Sequence, residues 1–95
     1  MTETVEELTV TYVDDGVETT KELDKVVLSK GSWATVLFRY QDWDRAKNDY
    51  GPEKYSIRRY QKRNGEYRQQ SKFNISSRAQ AQALVAALQR WLDES

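Results

Sequence analysis

Arg58, Tyr60 and Lys62 occupy alternate positions of one short segment, and Arg68, Gln70 and Lys72 alternate positions of the next. Alternate residues of a β-strand point to one face about 6–7 Å apart, close to the phosphate spacing of an extended nucleic-acid strand. Cations at that spacing, with a ring on which a base can stack, are what a single-stranded polyanion needs. Lys54–Arg68, KYSIRRYQKRNGEYR, holds six basic residues, one acidic residue and three tyrosines. The carboxylates offer less. Asp42 and Asp44 lie two apart, with Asp49 after them. Paired carboxylates can hold a divalent cation or move protons, but aspartates at a strand end ordinarily cap and solvate the turn. Cysteine and histidine are absent, which removes the thiol nucleophile, the commonest general base and the commonest metal ligand. No phosphate-binding glycine loop or nucleophile motif occurs. The expectation is a protein that is not an enzyme, with no metal, no cofactor and no small-molecule substrate.

The formal charge is zero, 15 basic against 15 acidic residues. Its distribution is uneven: residues 1–44 contain 4 basic and 10 acidic residues, residues 45–95 contain 11 and 5. A basic surface on one part of a neutral chain follows. No apolar run reaches the roughly 18 residues of a membrane span, and MTETVEEL resembles no signal or transit peptide. The expectation is a soluble, cytoplasmic protein with no membrane partner.

The elements that would hold these groups can be traced along the chain. Residues 1–7 read as a flexible tail and residues 8–95 as one domain. Leu8, Val10 and Tyr12 alternate with Thr9, Thr11 and Val13, and Asp15-Gly16 is a hairpin signal. A second strand runs from about Val17 to Leu28, bent near Asp24-Lys25. WATVLFRYQDW is the clearest strand, with Ala34, Val36, Phe38 and Tyr40 on one face and Trp33, Thr35, Leu37, Arg39, Gln41 and Trp43 on the other. In the basic hairpin, a three-residue loop Arg63-Asn64-Gly65 with a G1 bulge would pair Lys62 with Glu66 and Tyr55 with Phe73. That register gives an apolar face of Tyr55, Ile57, Phe73 and Ile75. It gives a polar face of Ser56, Arg58, Tyr60, Lys62, Arg68, Gln70 and Lys72. Ser77 and Gln80 form a capping-box pattern. Ala81, Leu84, Val85, Leu88, Trp91 and Leu92 then make one helical stripe that should cover the apolar face. The fold class is α+β: a mainly antiparallel sheet of about five strands with one C-terminal amphipathic helix packed on one face.

Strands followed by one C-terminal helix, with a basic and aromatic sheet surface, resemble the single-stranded-DNA-binding fold of positive cofactor four and the Whirly proteins. The likeness is carried by ATVLFRYQDW, by KYSIRRYQKRNGEYRQQSKFNIS and by SRAQAQALVAALQRWL. SKFNIS is similar to that family's lysine-containing strand before its helix, although Phe73 stands where a glycine would be expected. The resemblance implies a homodimer or higher oligomer joined through helices and a role in transcription or DNA metabolism. It also implies DNA contacts at Lys72, Arg58, Tyr60 and Arg68.

The expected function is therefore non-catalytic binding of single-stranded DNA or RNA. Arg58, Lys62, Arg68 and Lys72 would meet phosphates, Gln70 would hydrogen-bond and Tyr60 would stack. Arg39, Trp33 and Trp43 would extend the same surface. Leu88, Trp91 and Leu92 are expected at an oligomer interface, a dimer in the simplest case. The alternative is a small homo-oligomeric protein-interaction or assembly module with no nucleic-acid role.

Overall fold

The structure, a computed structural model, describes residues 4–95. A six-stranded antiparallel sheet carries one C-terminal helix. The strands are β1 (Tyr12–Asp14), β2 (Val17–Ser29), β3 (Trp33–Asp44), β4 (Asp49–Tyr50), β5 (Lys54–Arg63) and β6 (Glu66–Ile75), and the helix α1 is Arg78–Asp93. Their order in the sheet is β1-β2-β3-β5-β6, with the two-residue β4 pairing on β3. The N-terminal hairpin therefore belongs to the main sheet.

Asp15 and Gly16, at φ 55° and 80°, close the first hairpin with both central residues left-handed. This is the two-residue geometry whose twist matches the flanking strands. Asn64 and Gly65, at φ 53° and 79°, close the basic hairpin in the same way. Arg63 accordingly pairs with Glu66, and the three-residue loop expected from sequence does not form. The register is corrected further down instead. Tyr60 faces Gln69 and Arg59 faces Ser71, so Gln70 is an extra residue in a bulge. Below it Ile57 pairs with Phe73 and Tyr55 with Ile75.

Residues directly opposite in an antiparallel pair share a face. Ala34 faces Tyr60, Val36 faces Arg58, and Phe38 faces Ser56. The apolar side of β3 is therefore the side that carries Tyr60 and Arg58 on β5. This inner face is the core. Ala34, Val36, Phe38 and Ser56 are fully buried, Tyr40 and Tyr60 nearly so. The expectation that the Tyr60 side is open is overturned, because the alternation of β3 and that of β5 come into step across the β3–β5 ladder.

The cover over the inner face is the segment read from sequence as a tail. Val5 begins a short 3₁₀ turn, Val5–Glu7, and Val5, Leu8 and Val10 pack into the core cluster with Phe38 and Tyr60. Lys25 fixes that segment, its ammonium donating to the Leu8 carbonyl at 2.7 Å and to the Glu6 carbonyl at 2.5 Å. Residues 1–3 of the expected tail lie outside the described residues.

The helix is capped much as its sequence signals. The Gln80 N–H donates to Ser77 Oγ at 3.1 Å, and Gln80 Oε1 accepts from the Ser76 N–H at 3.2 Å. It packs against the sheet at β6, with Ala81, Leu84 and Ala87 half-buried, but its cover is partial and leaves Val85, Leu88, Trp91 and Leu92 exposed. None of its residues is buried, and its chief strand contact is with β6. Among the described residues no helix is long and apolar enough to cross a membrane.

Candidate nucleic-acid interface

The site residues expected from sequence fall on two sides of the sheet. The inner side holds Arg58, Tyr60, Lys62 and Lys72. Tyr60 is 5% exposed, packed with Ala34 and Phe38, and presents no ring for stacking. Burial raises its phenol pKa, while the adjacent Arg58 guanidinium works in the opposite direction. Arg58 lies opposite Lys72 in the ladder. Its guanidinium donates to Ser56 Oγ at 3.3 Å and to Gln69 Oε1 at 3.2 Å. Both cations line a polar cleft of about 430 Å³, shared with Tyr40, Asp42, Asn74 and the Thr9–Tyr12 segment. Lys62 is exposed and sits 5.5 Å from the Tyr67 ring centroid.

The outer side holds Trp33, Arg39, Trp43 and Arg68. Arg68 was expected beside Arg58 and Lys72. The Gln70 bulge shifts the alternation by one residue and turns it to the opposite face, where it pairs with Gln61. Gln70 itself stands in the bulge, its amide donating to the Arg68 carbonyl at 3.4 Å. Trp33 and Trp43 were expected to extend the Arg58 surface. They share the face opposite it, at the two ends of β3, ten residues or about 34 Å apart. Trp43 is half-buried and meets Tyr50 edge-on, centroids 5.1 Å apart. Arg39 forms an exposed pair with Glu53 at 3.6 Å, a contact of the kind that contributes little.

At the hairpin end of the outer face a compact group remains. Trp33, Gln61 and Arg68 form one cross-strand row, since Trp33 faces Gln61 and Gln61 faces Arg68. Arg59, in the next row, places its guanidinium carbon 4.6 Å from the Trp33 ring centroid. Arg63 donates to Gln61 Oε1 from Nε at 3.1 Å and from a terminal nitrogen at 3.0 Å. The Tyr67 hydroxyl donates to the Gly31 carbonyl at 2.7 Å and ties the tip of β6 to the turn before Trp33. The alternation that puts Tyr55 and Ile57 on the expected apolar face puts Arg59 and Gln61 there as well, away from the expected site. The signal that could have found them was the pairing of Trp33 with Gln61, which becomes visible only once the β3–β5 register is known.

The ion pairs set the far part of this hairpin apart from its base, where Lys54 meets Asp42. Among the described residues, none of Arg58, Arg59, Lys62, Arg63, Arg68 and Lys72 is in a salt bridge; those present involve Arg39, Arg45 and Lys54. β6 is also the edge strand, so cations on its two faces flank one open rim.

The aspartates have structural work. Asp42 accepts from Thr20 Oγ1 and from the Lys54 ammonium, both at 3.2 Å. Asp44 caps the turn, accepting from the N–H groups of Ala46 and Lys47. Among the described residues no group of three or more acidic side chains is placed to hold a metal ion. No protein-family model, curated protein or solved structure matches this chain.

Proposed function

We propose that the protein binds a single-stranded nucleic acid, DNA in the first instance, through the outer face of the sheet at the end of the β5–β6 hairpin. The observation that carries this reading is the exposed Trp33 ring against Arg59, in one cross-strand row with Arg68, at the end of a hairpin where Arg58, Arg59, Lys62, Arg63, Arg68 and Lys72 have no salt-bridge partner among the described residues. An aromatic platform flanked by arginines suits stacked bases and an adjoining phosphate track, whatever the base sequence. Trp33, Arg59, Arg63 and Arg68 form the primary surface. Lys72, Lys62 and Arg58 lie across the β6 rim and can take phosphates that wrap the edge. Arg78 and Arg90 are the only basic residues of α1, which disfavours a helix laid in a duplex major groove. The pattern-level likeness to positive cofactor four and the Whirly proteins points the same way and suggests a cofactor of transcription or DNA metabolism. The burial of Tyr60 departs from the contacts that likeness implies.

A second reading, self-association, is favoured by a separate observation. Leu88, Trp91 and Leu92 are 46%, 59% and 67% exposed on one helical stripe, a contiguous apolar patch of the kind that marks an interaction site. The two readings are compatible.

Titration of a fluorescent oligo-dT at two salt concentrations, with duplex competitor, tests the first. Tight, salt-sensitive binding that duplex DNA does not compete away is the expected result. Absence of binding at micromolar protein would leave an assembly module with no nucleic-acid role.

A further inference from the structure

The outer face carries one continuous apolar row. Val26 faces Leu37, Leu37 faces Ile57, and Ile57 faces Phe73, so four strands each contribute one side chain to a line across the sheet. Val26 and Phe73, at the ends of the line, are 52% and 55% exposed, and Leu37 and Ile57 are half-buried. The N-terminal cover lies on the inner side. Val5, Leu8 and Val10 bury the other face, whereas no member of this row is buried.

The helix has the complementary property. Ala81, Leu84 and Ala87 are half-buried along its first turns. The stripe then continues through Val85, Leu88, Trp91 and Leu92, which are 46–67% exposed. Only Ser76 and Ser77 separate α1 from β6, its chief strand contact. The second half of the stripe therefore extends past the surface that shelters the first.

The shape of the chain reports the same missing layer. Its extents are 48 × 39 × 17 Å and its radius of gyration is 15.2 Å. A compact domain of this length has a radius of gyration of about 12 Å. A stable sheet ordinarily has its apolar face covered by a second layer. The row and the stripe together bring six large apolar side chains, Val26, Phe73, Val85, Leu88, Trp91 and Leu92, each 46–67% exposed, toward the ~800 Å² that each partner of a standard interface buries. Arg39 and Arg59 flank the row, and the stripe ends in Asp93 and Glu94, which adds charge of opposite sign.

We propose that the second half of α1 docks on the Val26–Leu37–Ile57–Phe73 row of a second copy of this chain, and that the exchange is reciprocal. Each copy gives its helix and receives the other's, so one isologous interface covers both apolar surfaces of both copies. The contact is helix on sheet, distinct from the helix-to-helix dimer that the family likeness suggests. The Trp33–Gln61–Arg68 row stays open at the hairpin end. This inference rests on the self-association reading and is independent of nucleic-acid binding.

The chain lacks cysteine, so single cysteines report proximity without background. Phe73→Cys protein is mixed with Leu88→Cys protein and treated with a short bis-maleimide, and products are identified by mass. The expected main product joins Cys at 73 of one copy to Cys at 88 of the other. Predominant 88-to-88 product would overturn the helix-on-sheet contact while keeping self-association. A wild-type chain that sediments as a monomer at tens of micromolar would overturn both. Phe73→Asp and Trp91→Asp should each raise the dimer dissociation constant about thirty-fold or more, as the loss of a buried aromatic anchor does. Both should keep the wild-type far-ultraviolet circular dichroism of the sheet. A folded Phe73→Asp chain that dimerises like wild type would also overturn the inference.

Discussion

The Arg59 guanidinium lies 4.6 Å from the centroid of the Trp33 ring, on the face of the sheet opposite the buried Tyr60. This pair decides which ring of the basic hairpin region can meet a base. Tyr60 is enclosed by Ala34, Phe38 and the N-terminal cover, whereas Trp33 is 42% exposed. Trp33→Ala should therefore weaken oligo-dT binding by about 1–3 kcal/mol, the usual cost of losing a stacking ring. Fluorescence anisotropy of labelled oligo-dT measures the loss. Trp33→Phe should recover part of it, since a smaller aromatic face remains.

Tyr60 gives a prediction about pH. Burial raises its phenol pKa above the ordinary value of 10.0. The folded state therefore holds the proton more tightly than the unfolded chain. Its contribution is intact below pH about 10 and is lost as pH rises through the folded pKa. Lysines titrate in the same range, so wild type is compared with Tyr60→Phe. Between pH 9 and 11 the melting temperature of wild type should fall more steeply than that of Tyr60→Phe.

The N-terminal cover can be tested by truncating one side chain. Leu8 is 4% exposed within the core cluster. Leu8→Ala should cost about 2–5 kcal/mol of stability, from lost transfer energy and the cavity left behind. Val13→Ala on the exposed β1 should stay within about 0.5 kcal/mol. Urea unfolding of the two variants separates a structural cover from a dispensable tail.

Much of the architecture is legible in local sequence, because it depends on neighbours along the chain. The alternation of Ala34, Val36, Phe38 and Tyr40, the Asp15-Gly16 turn and the Ser77–Gln80 cap all form as their spacing implies. The site was less legible, because it depends on contacts between distant segments. Which face of β5 meets Phe38 is a property of the β3–β5 register. That register puts Tyr60 inside, although the hairpin alone makes its own face look polar. The turn of Arg68 to the outer face follows from one unpaired residue, Gln70, which no pattern in QQSK marks. Val5, Leu8 and Val10 reach the core from an irregular segment, so neither a strand nor a helix period reveals them. The helical period marks Val85, Leu88, Trp91 and Leu92 as one stripe but does not reveal that they stay exposed.

The Asn64-Gly65 turn sets where the hairpin cations begin. Gly65 sits at φ 79° with no atom within 4 Å of where a Cβ would stand, so a side chain there meets only backbone strain. Gly65→Ala should cost about 1–2 kcal/mol, the penalty for a left-handed non-glycine residue. Thermal unfolding measures it, with the wild-type circular dichroism spectrum preserved in the folded variant.

The central claim is that the hairpin end of the outer face contacts phosphates, and the double variant Arg59→Ala/Arg68→Ala tests it most directly. Oligo-dT affinity of wild type and variant should be measured from low to moderate salt. Engagement of about 4–6 phosphates gives wild type a log–log slope of roughly −3 to −4, and loss of two contacts should reduce its magnitude by about 1.4. A weaker, flatter salt dependence in a variant that keeps its fold is the predicted result. A variant that binds with wild-type affinity and wild-type slope would contradict the account.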